Sequence, residues 1–353
     1  CDRRVRRRRV EEVAFRGDGE PTLPIVSRLG NGTPKGRVDC VWEIRQGDAL
    51  SVLKTMPDQS INTCVTSPPY WGLRDYGIDG QVGIEETPEE YVAKMVEVFR
   101  EVKRVLRNDG TLWLNLGDSY VTSHAVGTKD DDKGWKHGAI SKGYQARAGG
   151  VGNGRKPKDL VGIPWMVAFA LRADGWYLRQ DIIWHKPNPM PESVKDRPTK
   201  AHEYIFLLAK SRRYYYDAEA IKEPLARPEE LLRKTPAVFG GRNKHDGYRT
   251  RKHSGNEYVG TYTGRNKRSV WTVSTKPFPE AHFAVYPPDL IEPCILAGCP
   301  VGGTVLDPFA GSGTTLLVAI QHHRKAIGIE LNPEYIEIAK RRLNSVQLKL
   351  VME

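Results

Sequence analysis

The feature that most constrains the fold of this 353-residue chain is a glycine-rich turn, Asp307-Pro308-Phe309-Ala310-Gly311-Ser312-Gly313-Thr314. The residue pattern predicts a strand at Thr304–Leu306, a helix at Thr314–His322 and a second strand at Lys325–Leu331. Only one further helix, predicted at Pro333–Asn344, and a short tail follow. That is too little chain to complete a doubly wound α/β sheet. The remaining strands must therefore come from earlier residues, and the glycine-rich half of the domain is its last half.

The residues of this turn also indicate the kind of ligand it binds. Glu330 ends the next predicted strand, where nucleoside-binding α/β folds place an acid that hydrogen-bonds ribose hydroxyls. The turn lacks the GxGxxG spacing used in pyrophosphate binding, and Asp307 at its mouth would repel phosphate and attract an ammonium group. The pattern favours a ligand with a ribose, an α-amino group and no phosphate, which describes S-adenosylmethionine. A purely structural strand–turn–helix is the alternative.

A second turn, Ser67-Pro68-Pro69-Tyr70, follows a predicted buried strand at Ile61–Thr66. Two prolines cannot continue a central strand, so the chain leaves the sheet there, at the edge where open α/β sheets bind ligands. The Ser67 hydroxyl and a rigid proline carbonyl are acceptors suited to an exocyclic amine, and the Tyr70 ring can stack on a base. The alternative is a proline-rich turn with a buried tyrosine.

Other segments complete the predicted α/β pattern. Further strands are predicted at Val41–Gly47, Thr111–Leu116, Trp176–Trp184 and Tyr204–Leu208. Further helices are predicted at Ala49–Leu53, 88–107, Ile163–Ala173 and Leu290–Ala297. The polar run Asn108-Asp109-Gly110 is expected to cap the C-terminus of the helix at 88–107.

The net charge of +11 is concentrated in two segments. Residues 1–10 hold six arginines, and residues 210–268 hold 15 basic against 7 acidic side chains, interleaved with tyrosines and asparagines. Such a segment suits contacts with DNA phosphates and base edges, and a solvated basic surface is the alternative. The sequence therefore predicts a basic N-terminal arm (1–37), a catalytic half (38–211) with a mobile loop (117–158), a target-recognition region (212–270) and a cofactor half (271–353).

Together, the two turns resemble the motifs of DNA methyltransferases that methylate exocyclic amines. Thr66-Ser67-Pro68-Pro69-Tyr70 resembles the catalytic motif of that family, and Asp307–Thr314 resembles its cofactor motif. Their order is that of the β-group, and the resemblance spans roughly residues 40–345. It implies a Rossmann-like sheet with permuted motif order, S-adenosylmethionine as cofactor, and direct methyl transfer to a base flipped out of double-stranded DNA. The serine form of the motif resembles N4-cytosine enzymes, whereas N6-adenine enzymes usually carry aspartate or asparagine there.

The resemblance also assigns roles to individual residues. Catalytic roles are implied for Ser67, Pro68, Pro69 and Tyr70. Cofactor contacts are implied for Asp48, His282, Phe283, Asp307, Phe309, Gly311, Ser312, Gly313, Thr314 and Glu330. Trp184–Asn188 and His202-Glu203 resemble segments beside the target-base pocket. Two alternatives stay open: Asp48 can cap a helix, and His202 can be a structural histidine. DNA contacts are expected from Arg242, Asn243, Lys244, Arg249, Arg251, Lys252, Arg265, Lys267 and Arg268.

Several alternatives compete with this interpretation. The nearest is N6-adenine methylation on the same scaffold, and the others are a nicotinamide-dependent oxidoreductase and a non-catalytic DNA-binding protein. Pro293-Cys294 matches the dipeptide with which cytosine-C5 enzymes attack, but it lies in an apolar helical pattern ahead of the glycine turn, which favours packing. We expect no metal site, no membrane span and reduced cysteines. The expected setting is cytoplasmic and DNA-associated, with a cognate restriction endonuclease as a candidate partner.

Overall fold

The structure is a computed structural model that describes residues 25–26, 42–73, 80–121, 156–224, 264–276 and 286–352. The strands in these residues are β1 (Ile25–Val26), β2 (Trp42–Gln46), β3 (Ile61–Thr66), β4 (Leu106–Leu116), β5 (Tyr177–His185), β6 (His202–Ala209), β7 (Val270–Thr272), β8 (Thr304–Asp307) and β9 (Lys325–Glu330). The α-helices are α1 (Ala49–Thr55), α2 (Pro88–Val105), α3 (Ile163–Ala173), α4 (Pro288–Gly298), α5 (Thr314–Gln321) and α6 (Pro333–Met352).

These strands form a single sheet with the order β1-β2-β9-β8-β3-β4-β6-β5-β7. Strands β2, β9, β8, β3 and β4 are parallel, whereas β6 is antiparallel to both β4 and β5. The chain proceeds from β8 to β9 on one side of the sheet and from β3 to β4 on the other. The strand order therefore reverses between β8 and β3, and their carboxyl ends border the crevice in which open α/β sheets bind ligands.

Helices cover both faces of this sheet, as the doubly wound fold requires. Helices α1, α2 and α3 pack on one face, and α4, α5 and α6 pack on the other. The β3–β4 unit comes first in the chain and the β8–β9 unit comes last. The predicted doubly wound sheet with permuted order is thus confirmed. None of the helices in the described part of the chain is long and apolar enough to cross a membrane.

Helix α2 shows how local sequence produces one of these elements. The Thr87 hydroxyl accepts a hydrogen bond from the Glu90 N–H, and the Glu90 carboxylate accepts one from the Thr87 N–H, both at 3.2 Å. This capping box satisfies two backbone donors at the start of the helix. The side chains that face the core then recur every three to four residues, at Tyr91, Met95, Val98, Phe99, Val102 and Val105.

The predicted end of this helix was wrong. Helix α2 stops at Val105, and Leu106 already pairs with Ile61 in the sheet, so Asn108-Asp109-Gly110 lies within β4 and caps no helix. Leu106 is completely buried. Its burial in the sheet outweighs the polar turn signal. The pairing of β4 with β3 is irregular at this point, which leaves residues 107–109 exposed.

The segments predicted to lie outside the sheet are described only in part. Of residues 1–37, the structure describes Ile25–Val26, which pair with β2. In the loop 117–158, the Val121 N–H donates to the Asp159 carbonyl and the Lys158 N–H donates to the Val121 carbonyl, both at 2.9 Å; residues 122–155 lie outside the described part. In the region 212–270, residues 225–263 lie outside it, and Val270 belongs to β7.

Candidate active site

The crevice between β8 and β3 opens into a cavity of about 620 Å³. Much of its wall comes from residues at or just after the carboxyl ends of parallel strands, which the sheet brings together although they lie far apart in the sequence. Strands β5 and β6 and the loop between them supply a further part. Of the predicted catalytic and cofactor residues, the cavity is lined by Asp48, Ser67, Pro68, Pro69, Tyr70, Phe309, Gly311, Ser312, Thr314 and Glu330. Both motifs therefore face one space. That placement suits a reaction between two bound molecules.

Asp307 joins the two motifs and does not face this cavity. Its carboxyl oxygens accept hydrogen bonds from Thr66 Oγ1 at 2.6 Å, Thr315 Oγ1 at 2.5 Å, the Tyr286 hydroxyl at 3.1 Å and the Phe309 N–H at 3.1 Å. The side chain is 1 % exposed, and burial raises its pKa despite these donors. The predicted attraction of a ligand ammonium to Asp307 does not hold in this geometry, because protein donors already occupy the carboxyl group.

Glu330 lies beside the glycine-rich turn, at the end of β9. Its Oε2 accepts from the Gly311 N–H and its Oε1 accepts from the Asn332 N–H, both at 2.8 Å. Each carboxylate oxygen retains lone-pair capacity for a ligand hydroxyl. Burial raises the pKa of Glu330, so this carboxyl group takes up a proton at a higher pH than an ordinary glutamate does.

Gly313 serves packing, and it does not line the cavity. Its φ of +76° lies in the left-handed region, and a Cβ at this position would come within 2.9 Å of the Ala339 side chain in α6. The neighbouring Ser312 hydroxyl accepts from Arg342 Nη1 at 2.9 Å. The second glycine of the turn therefore allows α6 to pack against it.

Asp48 caps a helix, as one of its two predicted roles requires, and it lies at the cavity where its other predicted role, a cofactor contact, would place it. Its Oδ1 accepts from the Ser51 N–H at 2.9 Å and so caps the N-terminus of α1. Asp48 also lines the cavity, beside the end of β2. The helix cap holds this carboxylate at the edge of the space that Glu330 lines.

The catalytic motif, which follows β3, is held by polar side chains of β4 and β6. The Tyr70 hydroxyl lies 2.7 Å from Glu203 Oε2 and 3.0 Å from Asn115 Oδ1. Ser67 Oγ lies 3.3 Å from both the Tyr70 hydroxyl and Asn115 Oδ1. The Tyr70 ring packs on Gly117, where a Cβ would come within 2.5 Å of the ring. The network therefore fixes both the serine hydroxyl and the tyrosine ring.

The hydrogen-bond donors and acceptors around Ser67 determine the direction of its hydroxyl proton. The Asn115 amide donates to Glu203 Oε2 at 3.3 Å and to the Tyr204 carbonyl at 3.1 Å, so its Oδ1 acts only as an acceptor. Burial and then the Glu203 charge raise the pKa of Tyr70, which keeps the phenol protonated. The Ser67 proton is thus directed at Asn115 or Tyr70. The oxygen of Ser67 keeps its lone pairs for a donor in the cavity.

Two lysines lie close to this network. Lys186 forms an ion pair with Glu203, and its ammonium lies 4.2 Å from the centre of the Trp184 ring. Lys200 also lines the cavity, with its Nζ 4.0 Å from Asp118 Oδ2 and no hydrogen-bond partner among the described residues. Burial lowers the pKa of Lys200. Each of the two lysines thus lies beside a carboxylate, close to the catalytic motif.

Sequence reasoning missed Asn115, Lys200 and Gly117 as parts of the site. Asn115 is a buried polar residue near the carboxyl end of an apolar strand, and that position was the available signal. Lys200 lies in a loop with no local pattern, so only the fold could place it. Pro69 has a structural task as well, because its carbonyl accepts from the Tyr91 hydroxyl at 3.0 Å.

The remaining predicted residues fall elsewhere. His202 Nε2 lies 3.4 Å from the Tyr204 hydroxyl, and burial lowers its pKa, which agrees with a structural histidine. Cys294 is 1 % exposed in α4, where burial raises its pKa, so its assignment to packing is confirmed. No group of three potential metal ligands occurs in the described ranges. His282 and Phe283 lie outside those ranges.

Three of the nine predicted DNA-contacting residues are described. Arg265 and Arg268 both form ion pairs with Glu223, and Lys267 lies 5.0 Å from the centre of the Trp271 ring. Lys267 and Arg268 line a separate cavity of about 480 Å³. The other six, Arg242, Asn243, Lys244, Arg249, Arg251 and Lys252, lie outside the described part.

The topology and the two motifs at one cavity define a nucleoside-binding α/β enzyme of the methyltransferase class. The family model described as DNA methylase matches residues 61–341. This chain belongs to that family. The resemblance inferred from the motifs is confirmed.

Individual relatives cover most of the chain. The type II methyltransferase M.Cfr9I of Citrobacter freundii is 48 % identical over 310 residues, which is 87 % of this chain and 89 % of that protein. M.SmaI of Serratia marcescens is 46 % identical over 297 residues, which is 84 % of this chain and 89 % of that protein.

Solved structures share the fold. The cytosine-N4-specific PvuII DNA methyltransferase has a TM-score of 0.57 at 19 % identity, covering 87 % of this chain and 92 % of that one. A protein of Thermus thermophilus, assigned as a DNA modification methylase and solved with S-adenosyl-L-methionine, has a TM-score of 0.51 at 26 % identity. That comparison covers 86 % of this chain and 95 % of the other.

Proposed function

We propose that this chain transfers a methyl group from S-adenosylmethionine to the N4 amine of cytosine at a specific site in double-stranded DNA. The observation that carries this proposal is the Ser67 hydroxyl, which lies at the cavity with its proton directed towards Asn115 or Tyr70. Membership of the DNA methylase family supplies the reaction class. The serine at the first motif position supports cytosine as the base.

The residues around the glycine-rich turn fit S-adenosylmethionine. The Glu330 carboxylate can accept hydrogen bonds from ribose hydroxyls, the Phe309 and Tyr335 rings line an apolar wall, and the backbone of Gly311 is open to close approach. The likeness to a protein solved with this cofactor supports the same ligand here. Bound at this site, the cofactor supplies a methyl group on a positively charged sulfur.

The N4 amine of cytosine is a weak nucleophile, and the protein must orient it for in-line attack on the methyl group. The lone pair of the cytosine amine is delocalised into the ring. A hydrogen bond from the amine to Ser67 Oγ, with a second to the Pro68 carbonyl, localises this lone pair and aims it across the cavity. As the amine nitrogen bonds to the methyl group, the sulfur–methyl bond breaks, S-adenosylhomocysteine is the leaving group, and the amine then loses one proton to solvent. Holding both reactants in this geometry supplies a large part of the acceleration.

The target base must leave the duplex to reach this cavity. Tyr70 provides a ring for stacking on the flipped base, because Gly117 supports one face of the ring and Glu203 holds its hydroxyl. The phenol stays protonated because burial and the Glu203 charge raise its pKa. Tyr70 therefore orients the base and takes no proton from it.

Analysis of the modified base tests the proposal directly. DNA incubated with the protein and S-adenosylmethionine is digested to nucleosides and analysed by mass spectrometry, and we expect N4-methylcytosine. Finding only N6-methyladenine would establish the adenine alternative and overturn the cytosine assignment. Sequencing of the methylated DNA gives the recognition sequence in the same experiment.

The raised pKa of Glu330 predicts a pH-dependent affinity for the cofactor. The ionised carboxylate accepts ribose hydroxyls, so affinity is full above the raised pKa and falls as the pH decreases through it. Glu330→Gln is expected to weaken binding about 10- to 100-fold at pH 8, the range of hydrogen bonds to a charged group, and to abolish the pH trend. Calorimetric titration with S-adenosylhomocysteine between pH 8 and pH 5 measures both effects.

Glu337→Gln provides the matched control for this titration, because Glu337 forms an exposed ion pair with Lys340 in α6. We expect this variant to bind as the wild-type protein does at every pH. An affinity of Glu330→Gln equal to that of the wild type would contradict the ribose contact.

We further propose that residues 212–270 recognise the target sequence. Glu223 and Arg265 exchange two backbone hydrogen bonds, both at 2.9 Å, so these two residues, 42 positions apart in the sequence, lie side by side. That connection is typical of an inserted module. The basic side chains of this region suit DNA phosphates, and the type II names of the relatives support a cognate restriction endonuclease as partner.

A further inference from the structure

The loop that joins β5 to β6 (residues 186–201) carries the most exposed large apolar side chain of the described residues. Met190 is 85 % exposed, whereas the next such residue, Val301, is 62 % exposed. Single exposed apolar side chains are common on protein surfaces, so the position of Met190 matters more than its exposure. Met190 lines the active-site cavity, and Val301 does not.

The backbone on both sides of Met190 is anchored. The Asn188 side chain donates to the Thr275 carbonyl at 3.1 Å and accepts from the Thr275 N–H at 3.0 Å. Glu192 accepts from Arg197 Nη1 at 2.6 Å and from the Lys200 N–H at 3.3 Å. Both anchors lie two residues from Met190. The Met190 side chain is therefore exposed on a backbone that is held on both sides.

The surroundings of Met190 suit DNA. Lys186, Lys200 and Lys276 line the same cavity, where they lie beside Glu203, Asp118 and Asp289, and Lys195 is exposed in the same loop. In such an arrangement, cationic side chains contact DNA phosphates while the anchored apolar side chain acts as a wedge that inserts between bases. Proteins that distort a duplex use such wedges, methionine among them, between base steps.

We propose that Met190 inserts into the base stack of DNA when the target base turns into the cavity, and fills the space which that base leaves. This inference rests on the proposed function, because it requires a base to leave the duplex. Unstacking a base carries a free-energy cost that is least for a mismatched base. An apolar side chain that occupies the gap offsets part of that cost, so its removal should matter most for a correctly paired base.

The test compares two duplexes that carry the methylation site found by sequencing, one with the target base paired and one with it mispaired. Methyl transfer from radiolabelled S-adenosylmethionine gives kcat/KM for each duplex. Met190→Ala is expected to lower kcat/KM about 10-fold on the paired duplex and less than about twofold on the mispaired one, as the lower cost of flipping a mismatch implies. Met190→Leu, which keeps an apolar wedge, is expected to retain wild-type activity on both.

Val301→Ala is the control, since it removes an exposed apolar side chain away from the cavity; we expect no change on either duplex. Equal losses on the two duplexes, or an unchanged kcat/KM of Met190→Ala on the paired one, would overturn the inference. The comparison uses whichever base the wild-type protein methylates. A wrong assignment of cytosine would therefore be seen separately, as wild-type methylation of adenine.

Discussion

Ser67→Ala is expected to lower the rate of methyl transfer about 10²- to 10³-fold, the range observed when one preorganised hydrogen-bonding group is removed from an active site. The alanine leaves Tyr70, Asn115 and Glu203 in contact with one another, but it removes the acceptor that orients the amine. Binding of S-adenosylhomocysteine is expected to stay unchanged, because Ser67 does not belong to the glycine-rich turn. Single-turnover kinetics and calorimetric titration measure the two quantities.

The control for Ser67→Ala is another serine outside the cavity. Ser60 donates to the Pro57 carbonyl at 2.8 Å in the turn before β3, and Ser60→Ala is expected to keep the wild-type rate. A rate for Ser67→Ala within about twofold of the wild type would contradict the role of the Ser67 hydroxyl, because removal of one such group is expected to slow the reaction about 10²- to 10³-fold. The amine would then need a different acceptor.

Asp307→Ala is expected to produce the largest loss of stability, about 3–5 kcal/mol, because it removes a buried acceptor on which several donors depend. The Thr66 hydroxyl and the Phe309 N–H would lose their partner, whereas the Tyr286 and Thr315 hydroxyls would keep each other and Thr315 would keep its contact of 3.3 Å with the Val65 carbonyl. Urea denaturation followed by circular dichroism measures the free energy of unfolding.

Asp289→Ala is the matched control for this measurement. Asp289 forms an exposed ion pair with Lys276 at 2.6 Å, and loss of such a pair changes the free energy of unfolding by less than about 1 kcal/mol. A similar small change for Asp307→Ala would show that Asp307 does not hold the two halves of the domain together. Asp307→Asn keeps the shape and one acceptor oxygen, so its loss of unfolding free energy is expected to lie between the losses for Asp289→Ala and Asp307→Ala.

Local signals predicted the elements and the motifs well. The strand Ile61–Thr66 and the helix Ile163–Ala173 occur with the predicted bounds, because an apolar β-branched run before two prolines and a helical apolar spacing are local properties. The C-cap predicted at Asn108-Asp109-Gly110 was wrong for the opposite reason. There the burial of Leu106 against Ile61, a residue distant in the sequence, outweighed the local turn signal.

The sequence by itself determined the order of the two halves, the strand ends at which both motifs lie, and the family, because proline, glycine and apolar periodicity act within a few residues. Only the tertiary structure decided what the motif residues do. Asp307 binds Thr66 across 241 residues of chain and so joins the motifs, and Tyr70 binds Glu203 across 133 residues. Hydrogen bonds of this kind depend on strands that become neighbours only when the sheet forms, and no local pattern encodes them.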